Sequence, residues 1–193
     1  MTVFRLLLLT LLLAVTAGRT AAQRCLPGMK GVQFSADMVD GFYSPAGNDG
    51  TGYAFSLAFF NYVKNGNKWE YGVEYVRRNC RYRTVGVPME QYTADAGYFL
   101  NLLSSTGKVF FLNAGLSGVV GYEEVNGGRR TLYDGASLSK CSAFIYGCAA
   151  TLEAEVFVTD NIAAAARLRG RALWGGASGV FHCLYGISLK YVF

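Results

Sequence analysis

Proline and histidine are scarce in this chain of 193 residues, which holds 3 prolines and 1 histidine and has 16% charged residues. A single histidine, His182, excludes a metal site built on two imidazoles, and no cysteine pair has the spacing of a zinc site. There is no Gly-x-Ser-x-Gly elbow and no phosphate loop, so neither a hydrolase of that type nor a nucleotide cofactor is indicated. No apolar run after the first segment approaches the ~20 residues that a helix needs to cross a bilayer. The five cysteines, Cys25, Cys80, Cys141, Cys148 and Cys183, are odd in number and show no disulfide framework. Cys148 and Cys183 fall on apolar faces, as small hydrophobes do. Cys80 and Cys141 fall in segments read as loops on one side, where a bridge between them is one option.

What is present begins with an export signal. Arg5 precedes an apolar run from Leu6 to Val15, and Thr20, Ala21 and Ala22 offer small residues for cleavage before Gln23. That run is too short to stay as a helical anchor. Lipid attachment at Cys25 is disfavoured by Arg24, which stands where a small residue is expected. The expected organisation is a signal peptide at 1–22 and one domain at 23–193. Cleavage removes two of the 18 basic residues and none of the 13 acids, leaving a net charge of +3. This is not the footprint of a nucleic-acid binder.

The rest is rich in 24 glycines, 13 tyrosines and 13 phenylalanines, a composition of strands and tight turns. Alternation of apolar and polar residues, which a strand sends to opposite faces, recurs eight times. Val32, Phe34, Ala36 and Met38 oppose Gln33, Ser35 and Asp37. Tyr53, Phe55, Leu57 and Phe59 oppose Ala54, Ser56 and Ala58. Asn65-Gly66 marks a turn, after which Trp69, Tyr71, Val73 and Tyr75 oppose Glu70, Gly72 and Glu74. Tyr92, Ala94, Ala96, Tyr98 and Leu100 oppose Gln91, Thr93, Asp95 and Gly97. The fifth stretch carries Phe110, Leu112, Ala114 and Leu116. In the sixth, Phe144 to Val156 alternates with Gly147, Ala149, Thr151, Glu153 and Glu155. In the seventh, Ile162, Ala164, Ala166 and Leu168 oppose Ala163, Ala165, Arg167, Arg169 and Arg171. The last, Gly179 to Phe193, has Phe181, Cys183, Tyr185, Ile187, Leu189, Tyr191 and Phe193 against His182, Gly186, Ser188 and Lys190. It resembles the closing strand of an outer-membrane barrel, with Ser188 where such strands often have glycine.

Apolar faces this numerous in an exported chain predict an all-β fold: an eight-stranded antiparallel transmembrane β-barrel. Connections after strands two, four and six are short. Those after one, three, five and seven are longer and more polar, with Arg77–Pro88 and Glu123–Ser139 read as loops. That asymmetry places both termini in the periplasm. Eight strands leave an interior filled by side chains and no aqueous channel.

The inward set contains Glu70, Glu74, Asp95, Glu153 and Glu155 with Arg167, Arg169, Arg171 and Lys190. Charges shielded from water must pair, so they read as a packed polar core, with an ion or proton pathway as the alternative. Trp69, Tyr71, Tyr98, Trp174 and Phe193 suit interface girdles. Arg77, Arg78, Arg81 and Arg83 cluster at the outer end of the third strand, and Arg129 and Arg130 lie in the third external loop. They read as a solvated rim facing anionic headgroups. Contact with lipopolysaccharide phosphates, a partner protein or DNA is the alternative. His182 near Ser178 admits a lipid acyl hydrolase on paper, but no family pattern for one is present, and the expectation is that the protein is not an enzyme.

Several segments also resemble the TraO proteins of conjugative transposons. The likeness lies in Gln23-Arg-Cys-Leu-Pro-Gly-Met29, Ala36-Asp-Met-Val-Asp-Gly-Phe-Tyr43 and Gly66-Asn-Lys-Trp69. It continues in Gln91-Tyr-Thr-Ala-Asp-Ala-Gly-Tyr98, Gly121-Tyr-Glu-Glu-Val-Asn126 and Arg171-Ala-Leu-Trp-Gly-Gly176. It covers essentially the whole mature chain. The resemblance implies an outer-membrane component of a Gram-negative conjugation apparatus, with lipid and other transfer proteins as partners and no catalytic motif. A filled barrel cannot pass a DNA strand, so an accessory role without direct DNA binding, cofactor or small-molecule substrate is expected. A small surface adhesin or protective barrel is the alternative.

Overall fold

A computed structural model of the chain describes residues 25–41, 51–82, 85–129, 141–176 and 179–193, and for 80–82 and 85–86 the backbone only. The signal segment, Arg83, Arg130, Ser178 and the side chains of Cys80 and Arg81 lie outside what is described.

Eight strands form: β1 (Lys30–Val39), β2 (Gly52–Tyr62), β3 (Lys68–Tyr82), β4 (Val85–Ser104), β5 (Phe110–Val125), β6 (Ser142–Phe157), β7 (Ile162–Trp174) and β8 (Phe181–Val192). Each runs antiparallel to the next, and β8 pairs with β1 to close the barrel in sequence order. The predicted alternation is the one observed: in β1, Gln33, Ser35 and Asp37 are buried while Val32, Phe34 and Met38 face outward. Large apolar residues on the outer wall are exposed, among them Phe181 at 78%, Leu116 at 72% and Ile187 at 71%. An apolar belt of this extent is not found facing water on a soluble monomer; hydrocarbon is the solvent that suits it.

The turn after β2 has Asn65 at φ 63° and Gly66 at φ 74°. Two successive residues in the left-handed region are what a tight hairpin demands, and Asn-Gly supplies them cheaply. Near the following hairpin the register between β4 and β5 slips between Asn101 and Leu103. The slip leaves Leu102 and Leu103 both exposed and lets Asn101 reach Asn113 on β5, with Nδ2–H donating to Oδ1 at 3.0 Å.

Three elements are longer than the sequence suggested. Arg77–Pro88 is largely the upper part of a β3–β4 hairpin, with Tyr82 opposite Val85. β5 continues through Val125 and takes Glu123 with it. β8, by contrast, starts at Phe181 and not at Gly179. The β3 extension lacks apolar alternation, with Arg77 and Asn79 on its outer face, whereas β5 keeps Val120 and Tyr122 outward. The wall is consequently uneven: β4 has 20 residues against 10 in β1.

Both ends of the lumen are corked. At the end carrying the termini, Phe60, Tyr62, Phe111 and Phe157 pack with Ala163, Val192 and Cys25, and Met29 lies against them. Toward the loop end, Val39, Ala54, Val76 and Leu184 form one apolar cluster, and Val119, Ile145, Ala149 and Leu173 form another. Most of the buried charged residues lie between these layers, while Arg78 and Glu123 stand on the loop side of the upper clusters.

Candidate functional site

The feature that stands out from a plain barrel is its interior. Among the described residues six acids (Asp37, Glu70, Glu74, Glu123, Glu153 and Glu155) and six bases (Lys68, Arg78, Arg167, Arg169, Arg171 and Lys190) are buried. Asp95 joins them with a side chain only 7% exposed. Seven acids against six bases are close to balance, and the groups pair with one another in three tiers.

The tier nearest the termini is built on lysine. Lys68 Nζ lies 2.9 Å from Glu153 Oε1 and 3.0 Å from Glu70 Oε2. Lys190 also pairs with Glu153 and reaches Glu155 Oε2 at 2.8 Å. Neutral donors add to these pairs: Tyr62 Oη–H to Glu155 Oε1 at 3.1 Å, Gln33 Nε2–H to Glu153 Oε2 at 3.2 Å, and Asn113 Nδ2–H to Glu155 Oε2, the oxygen Lys190 also holds, at 3.3 Å. Lys68 also sits 4.7 Å from the centre of the Phe99 ring and 5.4 Å from that of Phe60. The ring faces add electrostatic attraction where water is absent.

The middle tier is built on arginine. Arg167, Arg169 and Arg171 alternate with Leu168 and Gly170 along β7, so all three guanidinium groups enter the lumen. They converge on Glu74 from the opposite wall: Arg167 Nη2 at 3.3 Å, Arg169 Nη1 at 3.4 Å and Arg171 Nη1 in close contact. Asp37 takes a second bond from Arg167 Nη2 at 2.5 Å, and Asp95 lies 3.1 Å from Arg169 Nη2. Arg171 Nη2–H donates to Gln91 Oε1 at 3.3 Å, and Gln91 Nε2–H passes on to Glu123 at 2.7 Å. A planar fork with five donors can bind two or three acceptors in different directions, which a lysine at the same place could not do.

The third tier, at the loop end, joins three strands. Arg78 Nη1–H donates to Asp40 Oδ2 at 2.9 Å, and His182 Nδ1 lies 2.8 Å from the same oxygen. Arg78 Nη1 is also 2.8 Å from His182 Nδ1, and its Nη2 is 3.3 Å from Met89 Sδ. Asp40 Oδ1 accepts the Cys183 amide at 2.8 Å. Burial works against charge on Asp40. The bonds from His182 and Cys183, with the charge of Arg78, outweigh it and hold the carboxyl below the usual carboxylate range.

The nine charges expected in the lumen all face it. Four partners were absent from that expectation, although strand parity carried three: Lys68 and Arg78 share the parity of Glu70 and Glu74, and Asp37 that of Gln33. Glu123 was assigned to a loop. Arg78 needs correcting outright: it was read with the external arginines, yet it is only 4% exposed and points into the barrel. Arg77, its outward neighbour, is about half exposed and 3.8 Å from Glu90 Oε1, and Arg129 is exposed beyond the short turn at Asn126–Gly128.

The cysteines divide as their faces dictate. Cys148 and Cys183 are exposed on the outer wall, whereas Cys25 is buried in the cork. Burial, reinforced by the negative charge of Glu155, pushes the Cys25 thiol up to about 12. That seclusion is the reverse of what a lipid-modified cysteine needs.

Solved structures share this architecture at low identity. Neisserial surface protein A (NspA) superposes with a TM-score of 0.57 at 14% identity, over 85% of this chain and 97% of that one. Ail, the attachment invasion locus protein of Yersinia pestis, gives 0.56 at 13% identity, over 87% and 100%. The outer membrane protein OprG from Pseudomonas aeruginosa gives 0.54 at 12%, over 88% and 98%. No curated protein sequence matches the chain significantly. The sequence profile of a family described as "Conjugative transposon protein TraO" matches residues 26–193.

Proposed function

The chain belongs to the TraO family of conjugative transposon proteins, and from that premise we propose that it is a non-enzymatic outer-membrane barrel serving the conjugative transfer apparatus as an accessory or scaffold. The observation that carries the accessory role is the corked lumen. Paired buried charges fill the lumen, with apolar clusters toward both of its ends, so we read the barrel as a post in the membrane and not a conduit. The outward apolar belt and the fold shared with bacterial outer-membrane proteins support that location, with the termini on the periplasmic side. Its partners are membrane lipid and other transfer proteins, engaged through the loops or the periplasmic turns.

No catalytic role is proposed. His182 faces the lumen and is held by Asp40 and Arg78, out of reach of an acyl chain on the outer wall. A second reading, a surface adhesin, is favoured by one observation: Ail, named for attachment and invasion, has the same barrel. Deleting the coding sequence from a conjugative element and counting transconjugants separates the two. The transfer role requires a drop of at least tenfold, restored by complementation. Unchanged transfer with reduced adhesion would overturn it in favour of the second reading. Tagged protein extracted from the outer membrane with mild detergent should bring other transfer proteins with it.

A further inference from the structure

The loop-end tier contains a conflict that one proton decides. His182 Nδ1 is 2.8 Å from Arg78 Nη1 and 2.8 Å from Asp40 Oδ2. A guanidinium only donates and a carboxylate only accepts, so the first contact needs a bare Nδ1 and the second needs Nδ1–H. One protonation state cannot satisfy both. With the ring neutral and Nδ1 bare, the nitrogen accepts from Arg78 and the hydrogen sits on Nε2, which is buried without a partner among the described residues. With the ring protonated, Nδ1–H turns to Asp40 and repels Arg78.

The surroundings decide which partner gives way. Asp40 is fixed at the β1–β8 seam: its amide donates to the Cys183 carbonyl at 2.8 Å, and its Oδ1 accepts from the Cys183 amide at 2.8 Å. Arg78 Nη1 is itself 2.9 Å from Asp40 Oδ2, so a protonated ring and the guanidinium compete for one carboxylate oxygen, while Nη2 has only the weakly accepting Met89 sulfur. Asp40 stays ionised where histidine titrates. Its carboxyl is held below the usual range, so its contribution to stability is present above the unfolded value and is lost only as pH falls through the lower, folded one. The other charged groups on this half of the inner wall are Asp37 from β1, Glu74 from β3, Glu123 from β5 and Arg171 from β7, which stands directly across from His182. β2, β4 and β6 present Ala54, Met89 with Gln91, and Ile145.

We propose that His182 is a proton-operated switch in the loop-end mouth. Neutral, it accepts from Arg78 and, beside the Arg78–Asp40 pair, adds a second tie from β3 to the seam; protonated, it donates to Asp40 and sets a second cation against Arg78 on the same oxygen, so that acid removes one tie and weakens the other. The device stands apart from the transfer role and does not depend on it.

Because the chain has 1 histidine, ring 15N resonances of the full-length mature protein, purified without a histidine tag and held in micelles, report on His182 alone. The switch predicts the Nε2–H tautomer at alkaline pH. As pH is lowered from about 9 to 4, across the range where histidines change charge, the Arg78 guanidinium resonances should shift with the midpoint of the ring. The Cys183 amide should stay protected throughout. In Arg78→Met the alkaline ring should change to the Nδ1–H tautomer, now bound to Asp40. If that variant does not fold, the wild-type titration decides by itself. An Nδ1–H tautomer at alkaline pH, a ring that never titrates, or Arg78 resonances that ignore the ring would each overturn the proposal.

Discussion

The lysine tier and the arginine tier solve the same problem in different ways. Near the termini, Glu153 is shared by Lys68 and Lys190, and each lysine also holds a further carboxylate, so removing one link leaves the others paired. In the middle, three arginines from one strand meet on Glu74. Arg167 and Arg169 have second acids in Asp37 and Asp95, but the other partner of Arg171 is the neutral Gln91. A chain of pairs tolerates a break. A hub does not.

The sharpest way to break that contrast is Glu74→Ala, which strands Arg171 as a buried cation with no acid in contact among the described residues. We expect a loss of about 3–5 kcal/mol, the usual cost of removing one partner from a buried pair, read as a lower urea midpoint in micelles and a lower temperature for the gel-shift of the folded barrel. Lys190→Met should cost less, about 1–3 kcal/mol, because Glu153 keeps Lys68 and Glu155 keeps Tyr62 and Asn113. A larger loss for Lys190→Met than for Glu74→Ala would reverse the ranking of hub and chain. The smallest effect concerns the cork beneath the lysine tier. A thiol raised to about 12 is almost wholly protonated at pH 8, so Cys25 should resist a maleimide in the folded barrel and react fully once it is unfolded. Rapid labelling in the native state would show that the cork is not packed as described.

Most of the fold was legible because strand geometry writes itself into sequence with a period of two, and hydrocarbon on one side makes the apolar half of that period unbroken. The same rule sends Glu74, Arg167, Arg169 and Arg171 into one lumen, but that the three arginines meet on Glu74 follows only from the closed barrel. It was less informative where the strands rise above the belt. Arg77 and Arg78 look alike in the sequence, yet one faces outward and the other is buried, and only continuing the parity from Glu74 separates them. Asp40 was beyond reach of any periodicity. It sits at φ 54°, so the chain has left the strand and the parity that would aim the side chain outward no longer holds. Its partners, at positions 78 and 182, are determined by how the ring of strands closes and by nothing local.

That closure also governs how the molecule can come into being. Asp37 meets Arg167 across 130 positions, Gln33 meets Glu153 across 120, and Asp40 meets Cys183 across 143. None of these bonds can form until the sheet has curled far enough to bring β6, β7 and β8 round to β1, and contacts so distant along the chain reward folding only at its end. Until then the acids and bases of the future interior must remain hydrated. The interior can shed that water only when the first and last strands meet, so the pairing of β1 with β8 is what seals it.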